Sequence, residues 1–335
     1  FITILAFNIS MVSASEDLED TNISSTYSES PITTDQKFID IQNEINNLEE
    51  DSTLTLNTSH YSGNDSIRID KSITIDGCGA ILDGENSTNI FKINADNVII
   101  KNINFIDCRG AIYSEDSLTN YNSITIDNCN FKNCNQNEYE SLIYSNCTIK
   151  IYNSNFNDCF IKSNEEYKGA VIYLEDCTES EIINCTFNNC ISDQNASTLL
   201  IQDSECEILN CNFTNCDSDI GTIYGEGFNC ILSNLRFENC TGNNSGAIYW
   251  AEYEIDISNS TFINCKGKNG GAIYLTDIKG FINNCNFINC NAEENGGAIY
   301  IDCNETEITD SYFQNNHGKY GNDIYINENI NLIKN

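Results

Sequence analysis

Cysteine is the residue with the widest chemical repertoire in this chain, which contains eighteen copies, many of them at a regular spacing. Eight of them close the motif Phe-x-(Asn/Asp)-Cys, which returns about every 25 residues. The copies are Phe105–Cys108, Phe131–Cys134, Phe156–Cys159, Phe187–Cys190, Phe213–Cys216, Phe237–Cys240, Phe262–Cys265 and Phe287–Cys290, and a ninth, Phe313–Asn316, lacks the cysteine. Because these cysteines hold one fixed place in a repeat, we expect them to form a buried column of stacked thiols.

Two other arrangements of these cysteines stay open. Stacked copies about 5 Å apart are within range of a disulfide. A metal site is the third possibility, although the Cys-x4-Cys pairs at 129/134, 185/190, 211/216 and 285/290 have no standard zinc spacing, and only His60 and His317 could assist. We therefore predict no cofactor; calcium suits the acidic chain but no motif supports it.

Tyrosine forms a second column. Its members follow an apolar residue in Gly-Ala-Ile-Tyr or a looser variant: Tyr113, Tyr144, Tyr173, Tyr224, Tyr249, Tyr274, Tyr300 and Tyr325. Strand alternation turns neighbours such as Leu174, Trp250 and Leu275 inward and places the tyrosine rings outside, as a ladder along one face. Exposed aromatic rings can stack on sugars or on a partner protein, so these eight are the candidate ligand-binding residues. Alternatively, ring stacking serves to stabilise the wall.

The elements that would position these columns are short strands. A fixed period of this length indicates stacked supersecondary units, and one unit, residues 246–270, accommodates three strands and three turns. We predict an all-β fold for residues 51–335, a right-handed parallel β-helix of about eleven coils, regular from about residue 105. The repeated Phe points inward as the spine of the core, and the Asn two places after it forms turns or a side-chain ladder.

The N-terminal part has a different character. Residues 1–14 are typical of a signal peptide remnant, and because the initiator Met and a basic leader are missing we expect an N-terminal fragment. Residues 15–35 indicate a disordered acidic linker. Phe38, Ile41, Ile45 and Leu48 predict an amphipathic capping helix over 36–50 with Asp35 as its N-cap. No run of apolar residues is long enough for a transmembrane segment.

The net charge of −34, from 16 Lys and Arg against 50 Asp and Glu, argues against binding to nucleic acid or to anionic membranes. It favours cations such as calcium, but a solvated acidic face is the simpler interpretation.

The residues resemble two groups of surface proteins. Gly-Gly-Ala-Ile at 270–273 and 296–299, alternating with the Phe motif, is similar to the repeat of chlamydial polymorphic outer membrane proteins. The layout from Lys71-Ser-Ile-Thr-Ile-Asp-Gly through Lys101-Asn-Ile-Asn-Phe to the repeats resembles adhesin-like proteins of methanogenic archaea over residues 36–330. The resemblance implies export, display at the cell surface and adhesion. Most copies carry Cys where the chlamydial repeat has Asn, and no surface anchor is evident.

The predicted fold also resembles that of pectate lyases and polygalacturonases, so catalysis was weighed. The chain has no Asp-Asp pair, no Gly-His-Gly and no Arg-Ile-Lys, its basic residues are scattered, and two distant histidines make a Ser/His/Asp arrangement implausible. We expect a secreted or cell-surface, non-catalytic adhesin-like protein that binds glycans or proteins of host or neighbouring cells. A passive structural spacer is the alternative, and a polysaccharide lyase or hydrolase the second alternative.

Overall fold

The computed structural model describes residues 35–86, 89–114, 123–136, 141–162, 170–193, 195–303 and 305–327, all within one compact unit that spans 33–335. The predicted signal peptide remnant (1–14) and, apart from Asp35, the predicted linker (15–35) lie outside the described residues. Within the described ranges no helix is both long and apolar enough to cross a membrane.

Short strands dominate the structure, and each pairs in parallel with its equivalent one coil away. The chain therefore winds as a right-handed parallel β-helix of about 11 turns, which confirms the predicted fold class. Three long sheets form the wall, and they are named here after their characteristic residues.

The Phe sheet has twelve strands: Gln36–Lys37, His60–Ser62, Ile81–Asp83, Asn104–Ile106, Asn130–Lys132, Asn155–Asn157, Thr186–Asn188, Asn212–Thr214, Arg236–Glu238, Thr261–Ile263, Asn286–Ile288 and Tyr312–Gln314. The Ile sheet has eleven: Ser52–Thr55, Ile73–Asp76, Val98–Lys101, Ser123–Asp127, Thr148–Tyr152, Ser180–Ile183, Cys206–Leu209, Cys230–Ser233, Ile255–Ser258, Lys279–Asn283 and Glu305–Thr309. The Tyr sheet also has eleven: Ile67–Ile69, Asn89–Ile93, Gly110–Ser114, Ile143–Ser145, Ile172–Glu175, Ala196–Gln202, Gly221–Glu226, Ile248–Ala251, Ile273–Thr276, Ile299–Asp302 and Ile324–Ile326.

A fourth, eight-stranded sheet lies between the Phe and Tyr strands in the later coils, beyond the three strands predicted for each coil. Its strands are Asn135–Gln136, Phe160–Ile161, Ile191–Ser192, Asp217–Ser218, Thr241–Gly242, Lys266–Asn269, Asn291–Asn295 and His317–Tyr320. Most of these strands are two residues long, so they are too short to be predicted from the alternation of apolar and polar residues.

The helix spans Phe38–Asn46 and buries Phe38, Ile41 and Ile45. Its N-cap is Lys37, so the assignment of Asp35 was wrong: residues 36–37 pair as a strand, and Asp35 lies 3.4 Å from Nδ1 of His60 instead. Gln42 bonds the main-chain N–H and carbonyl of Arg68, at 2.7 and 3.2 Å, on the first strand of the Tyr sheet. The helix thus covers polar groups that an edge strand would otherwise expose.

The repeated phenylalanines form the predicted spine. From Phe105 to Phe287 every ring of the motif is at most 1% exposed, and successive rings stack with centroids 4.6–5.1 Å apart. Burial of one such ring contributes about 1.5–3 kcal/mol, so this stack is a major source of stability.

The cysteine column lies beside this spine. All eighteen cysteines are free thiols, and all except Cys78 and Cys147 are buried. The Sγ atoms of Cys108 and Cys134 are 2.8 Å apart. From Cys190 onward each motif thiol approaches the carbonyl oxygen of the motif Phe one coil earlier, as Cys240 does to Phe213 at 3.5 Å. The thiols therefore act as small core groups with a weak hydrogen bond.

Asparagine shapes two of the turns. The predicted Asn two places after Phe has φ near +54° in Asn215, Asn239 and Asn289, a left-handed conformation that Asn tolerates. These side chains also form the predicted ladder, since Asn239 Nδ2 donates to Asn215 Oδ1 at 3.1 Å. A second ladder, unpredicted, lies three places before Phe, where Asn128 Nδ2 donates to Asn102 Oδ1 at 2.7 Å.

Candidate functional site

The eight predicted tyrosines lie on the outward side of the Tyr sheet, as strand parity requires. The isoleucines before Tyr113 to Tyr300, and residues such as Trp250 and Leu275 after a tyrosine, face the core and are at most 2% exposed, whereas Ile324 before Tyr325 is partly exposed. Register pairs neighbouring tyrosines directly, for example Tyr249 with Tyr274 and Tyr274 with Tyr300. This set, from Tyr113 to Tyr325, is called the tyrosine ladder.

Neighbouring rings stack on each other. The centroid distances are 5.3 Å from Tyr224 to Tyr249, 4.9 Å to Tyr274, 4.5 Å to Tyr300 and 5.5 Å to Tyr325, with interplanar angles of 3–34°. Both faces of Tyr249, Tyr274 and Tyr300 are therefore occupied by neighbouring rings, whereas Tyr144 and Tyr173 meet at an interplanar angle of 65°. A sugar cannot lie flat on a ring whose faces are both occupied, and what the ladder offers a ligand is a row of ring edges and phenolic hydroxyls.

Exposure also differs along the ladder. Tyr173 is 2% exposed and packs with Ala170, Ala196 and Leu200 in a small cluster outside the main core, and Tyr300 is 9% exposed. The expectation of uniformly exposed rings was therefore wrong at these two positions, while the other six tyrosines are partly exposed.

The ladder is interrupted once. Register places Leu200 between Tyr173 and Tyr224, so a leucine fills the tyrosine position of that coil. Leu200 divides the ladder into Tyr113–Tyr173 and Tyr224–Tyr325. The repeat spacing in the sequence contained this signal, but it required the strand Ala196–Gln202 to be aligned with its neighbours.

Carboxylates flank the rings, and they were not among the candidate residues predicted from the sequence. Glu175 accepts hydrogen bonds from the hydroxyls of Tyr144 and Tyr173, at 2.5 and 2.9 Å, and Glu226 accepts one from Tyr224. Burial, followed by these hydrogen bonds, raises the pKa of all three tyrosines well above the ordinary value of 10. The hydroxyls thus remain protonated donors at neutral pH.

Toward the C-terminal end the carboxylates continue beside the ladder. Burial raises the pKa of Tyr249, and the negative charges of Glu226, Asp277 and Asp302 raise it further. Asp302 also accepts a hydrogen bond from Asn327 Nδ2 at 2.9 Å. Tyr224–Tyr325 is therefore a strongly electronegative strip.

A separate groove of about 360 Å³ lies on the outside of the Ile sheet, and the sequence analysis did not single it out. It is lined by Lys150, Glu179, Ser180, Glu181, Glu205, Cys206, Glu207, Asn229 and Ile231. Glu181 accepts hydrogen bonds from Lys150 Nζ and from the Tyr152 hydroxyl, each at 2.6 Å. These two hydrogen bonds lower the pKa of Glu181. The negative charges of the groove are thus partly paired within the protein. This groove is called the glutamate groove.

Within the described ranges, no three His, Cys, Asp or Glu side chains come close enough together to hold a metal ion. The two histidines occupy distant coils: His60 lies 3.7 Å from Asp83 on the Phe sheet, and His317 begins the last strand of the fourth sheet. Thus the structure brings neither histidine to the tyrosine ladder.

Comparisons with known proteins address the fold. A family model described as a right handed beta helix region matches residues 170–335. No curated protein matches the chain. Similar solved structures include a PL6 alginate lyase in complex with a trisaccharide (13% identity, TM-score 0.43, covering 81% of this chain and 64% of the lyase).

Two further similar structures have different functions. One is PfbA, a surface adhesin of Streptococcus pneumoniae (12% identity, TM-score 0.37, 88% of this chain and 93% of PfbA). The other is the catalytic unit of a GH87 alpha-1,3-glucanase from Streptomyces thermodiastaticus (8% identity, TM-score 0.38, covering 87% of this chain and 70% of the glucanase). A fold by itself does not determine function, so the function of this chain must be argued from its own residues.

Proposed function

We propose that this protein is a secreted or cell-surface adhesin-like protein that binds glycan or protein ligands along its tyrosine ladder without altering them covalently. The observation that carries the proposal is the ladder itself: six of its eight tyrosines present partly exposed phenolic edges, with carboxylates such as Glu226 and Asp302 beside the rings. A regular row of donors and acceptors suits an extended ligand that runs along the solenoid. Export and surface display come from the resemblance to adhesin-like proteins of methanogenic archaea.

The experiment is a retention assay of the full chain on panels of surface glycans and proteins, with mass spectrometry of the ligands afterwards. Replacing Tyr249, Tyr274 and Tyr300 together by Ala should abolish retention, while replacement by Phe keeps the rings and removes only the hydroxyls. Circular dichroism verifies that both variants keep the β-helix. Retention that survives the Ala variant would remove the ladder from the proposal, and cleaved glycans would replace adhesion by catalysis.

A passive spacer is the second candidate, and the first half of the ladder favours it. The hydroxyls of Tyr144 and Tyr173 both form hydrogen bonds with Glu175. The Tyr173 hydroxyl also lies 2.8 Å from Oε1 of Gln202, within hydrogen-bond distance. Such a satisfied network stabilises the wall without any ligand. A spacer predicts no retention on either panel and normal stability after removal of one complete coil.

A further inference from the structure

We propose that Tyr224–Tyr325, the second half of the tyrosine ladder, is a docking strip for a linear polymer of amino sugars whose amines carry positive charge. This inference rests on the proposed function and assigns the class of ligand to it. The argument combines the charge of the strip, the groups that its rings expose and the length of its repeat.

The charge of the strip is unbalanced. Glu226, Glu252, Asp277 and Asp302 follow the tyrosines at the ends of successive Tyr-sheet strands. Over the described ranges, the ion pairs formed by Lys, Arg and His involve other carboxylates, as in Lys268–Glu294 and Arg236–Glu238. A row of carboxylates without a protein cation attracts a ligand that brings its own positive charges.

The exposed groups favour a polar ligand. Because ring faces within the strip are stacked on each other, ring edges and hydroxyls remain for contact. A carboxylate has about four acceptor positions, and the Tyr224 hydroxyl uses one of those on Glu226. The remaining positions can accept hydrogen bonds from ammonium and hydroxyl groups, which an amino sugar carries together.

The repeat length favours a sugar chain over a peptide. Ring centroids in the strip are 4.5–5.5 Å apart, so one tyrosine is offered at each coil. The carboxylate lies two residues after the tyrosine at Glu226 and Asp302 and three residues after it at Glu252 and Asp277. Side chains on the same face of an extended peptide are about 6.6–6.8 Å apart, so a basic peptide loses register within two or three coils. In a β-1,4-linked pyranose chain each residue advances by about one coil and alternate residues are turned over, so equivalent sugar edges face the strip at every second coil and stay in register.

The test is calorimetric titration of the full chain with four hexamers: β-1,4-linked glucosamine with free amines, its N-acetylated form, β-1,4-linked glucose, and hexalysine. We expect the free-amine hexamer to bind at least tenfold more tightly than the other three, with an affinity that falls as salt is added. The double variant Glu226→Gln with Asp302→Asn should weaken this binding at least fivefold. Its matched control, Glu205→Gln with Glu207→Gln in the glutamate groove, removes the same charge elsewhere and should leave affinity unchanged.

Each other outcome overturns the inference in a distinguishable way. If the glucose hexamer binds as tightly as the free-amine hexamer, the strip binds glycans but does not recognise their amines. Equal or tighter binding of hexalysine would show that charge alone, without sugar geometry, is sufficient. Loss of affinity in the groove control would move the site to the Ile sheet. Absence of binding by all four hexamers would refute the amino-sugar ligand, and the retention assay on protein panels would then decide whether the proposed function survives.

Discussion

Asn316 donates a hydrogen bond from Nδ2 to the carbonyl oxygen of Phe287 at 3.1 Å, at the place where earlier coils use a thiol. One coil before, Sγ of Cys290 lies 3.6 Å from the carbonyl oxygen of Phe262. Asn316 Oδ1 also accepts the main-chain N–H of Cys290 at 2.9 Å. The motif position therefore requires a small side chain that can reach the neighbouring coil, and thiol reactivity is not needed for that role.

Replacing Asn316 by Leu should destabilise the last described coils, because the buried N–H of Cys290 loses its acceptor and the carbonyl of Phe287 loses one of its donors. The expected cost is about 1–3 kcal/mol for the unsatisfied groups. Asn316→Cys is the matched control, since it restores the residue of the other copies and should cost less. Urea denaturation of both variants provides the measurement. Equal stability of the Leu and Cys variants would refute the hydrogen-bonding role of this position.

The phenylalanine spine leads to a second prediction. Phe213 is fully buried, with its ring 4.9 Å from Phe187 and 4.6 Å from Phe237, so Phe213→Ala should cost about 3–5 kcal/mol. Phe228 is partly exposed and meets only Tyr253 edge-on at 6.1 Å, so Phe228→Ala should cost much less. The fluorescence of Trp250, the single tryptophan, reports unfolding of the coils close to both sites. A smaller loss of unfolding free energy for Phe213→Ala than for Phe228→Ala would contradict the stabilising role of the phenylalanine spine.

The columns could be predicted from sequence because each depends on a residue repeated at one phase of the coil. Phe131 and Phe156, or Tyr249 and Tyr274, fall 25 residues apart, and parity alone decides which face each takes. Three-dimensional packing then follows directly, since equivalent residues stack at the spacing between strands.

What parity could not predict depends on contacts between coils. The stacking that closes the faces of the tyrosine rings is set by side-chain rotamers, and the pairing of Tyr144 with Glu175 joins residues one coil apart. The N-cap was misplaced because strand pairing of residues 36–37 delays the start of the helix. The second asparagine ladder, by contrast, was visible at Asn102, Asn128 and Asn153 and simply shares its period with the first.

Thiol reactivity gives a third prediction. Cys78 is exposed and Cys147 partly so, whereas the others are buried, and burial raises the pKa of Cys129 to about 12. The thiolate is the reactive form, and desolvation together with the neighbouring Asp76 raises the pKa of Cys78 as well. Exposure therefore decides the order, and an aromatic disulfide reagent at pH 8 should modify Cys78 first, Cys147 more slowly and the rest only after unfolding. Cys78→Ser should remove the fast phase.

The same experiment in denaturant without reductant counts the total thiols. Eighteen would agree with a fully free column. A count lowered in pairs would indicate inter-coil disulfides, with Cys108 and Cys134 the first pair to examine by peptide mapping. Rapid reaction of most thiols in the native protein would contradict the burial of the column.

Alkaline pH gives the fourth prediction, because burial and the shared Glu175 hold the pKa of Tyr144 and Tyr173 above the ordinary value of 10. A pKa that is higher in the folded state than in the unfolded state contributes stability that is fully present below pH 10. That contribution is lost as the pH rises above 10 toward the folded pKa, since the unfolded chain then releases protons more readily. Stability to urea should therefore fall steeply above pH 10, and the ultraviolet absorbance of tyrosinate should rise at higher pH in the native protein than in the unfolded one.

Glu175→Gln distinguishes the effect of the tyrosines from that of buried thiols such as Cys129 and Cys177, whose raised pKa values act in the same direction. The variant removes the negative charge beside both hydroxyls, so their pKa values should fall and part of the native tyrosinate absorbance should shift to lower pH. Glu207→Gln, in the glutamate groove, removes a charge away from the ladder and should leave the titration unchanged. Identical titrations of the Glu175 variant and the parent would mean that burial alone holds these tyrosines neutral. The hydrogen-bonded network of the first half of the ladder would then contribute no measurable stability.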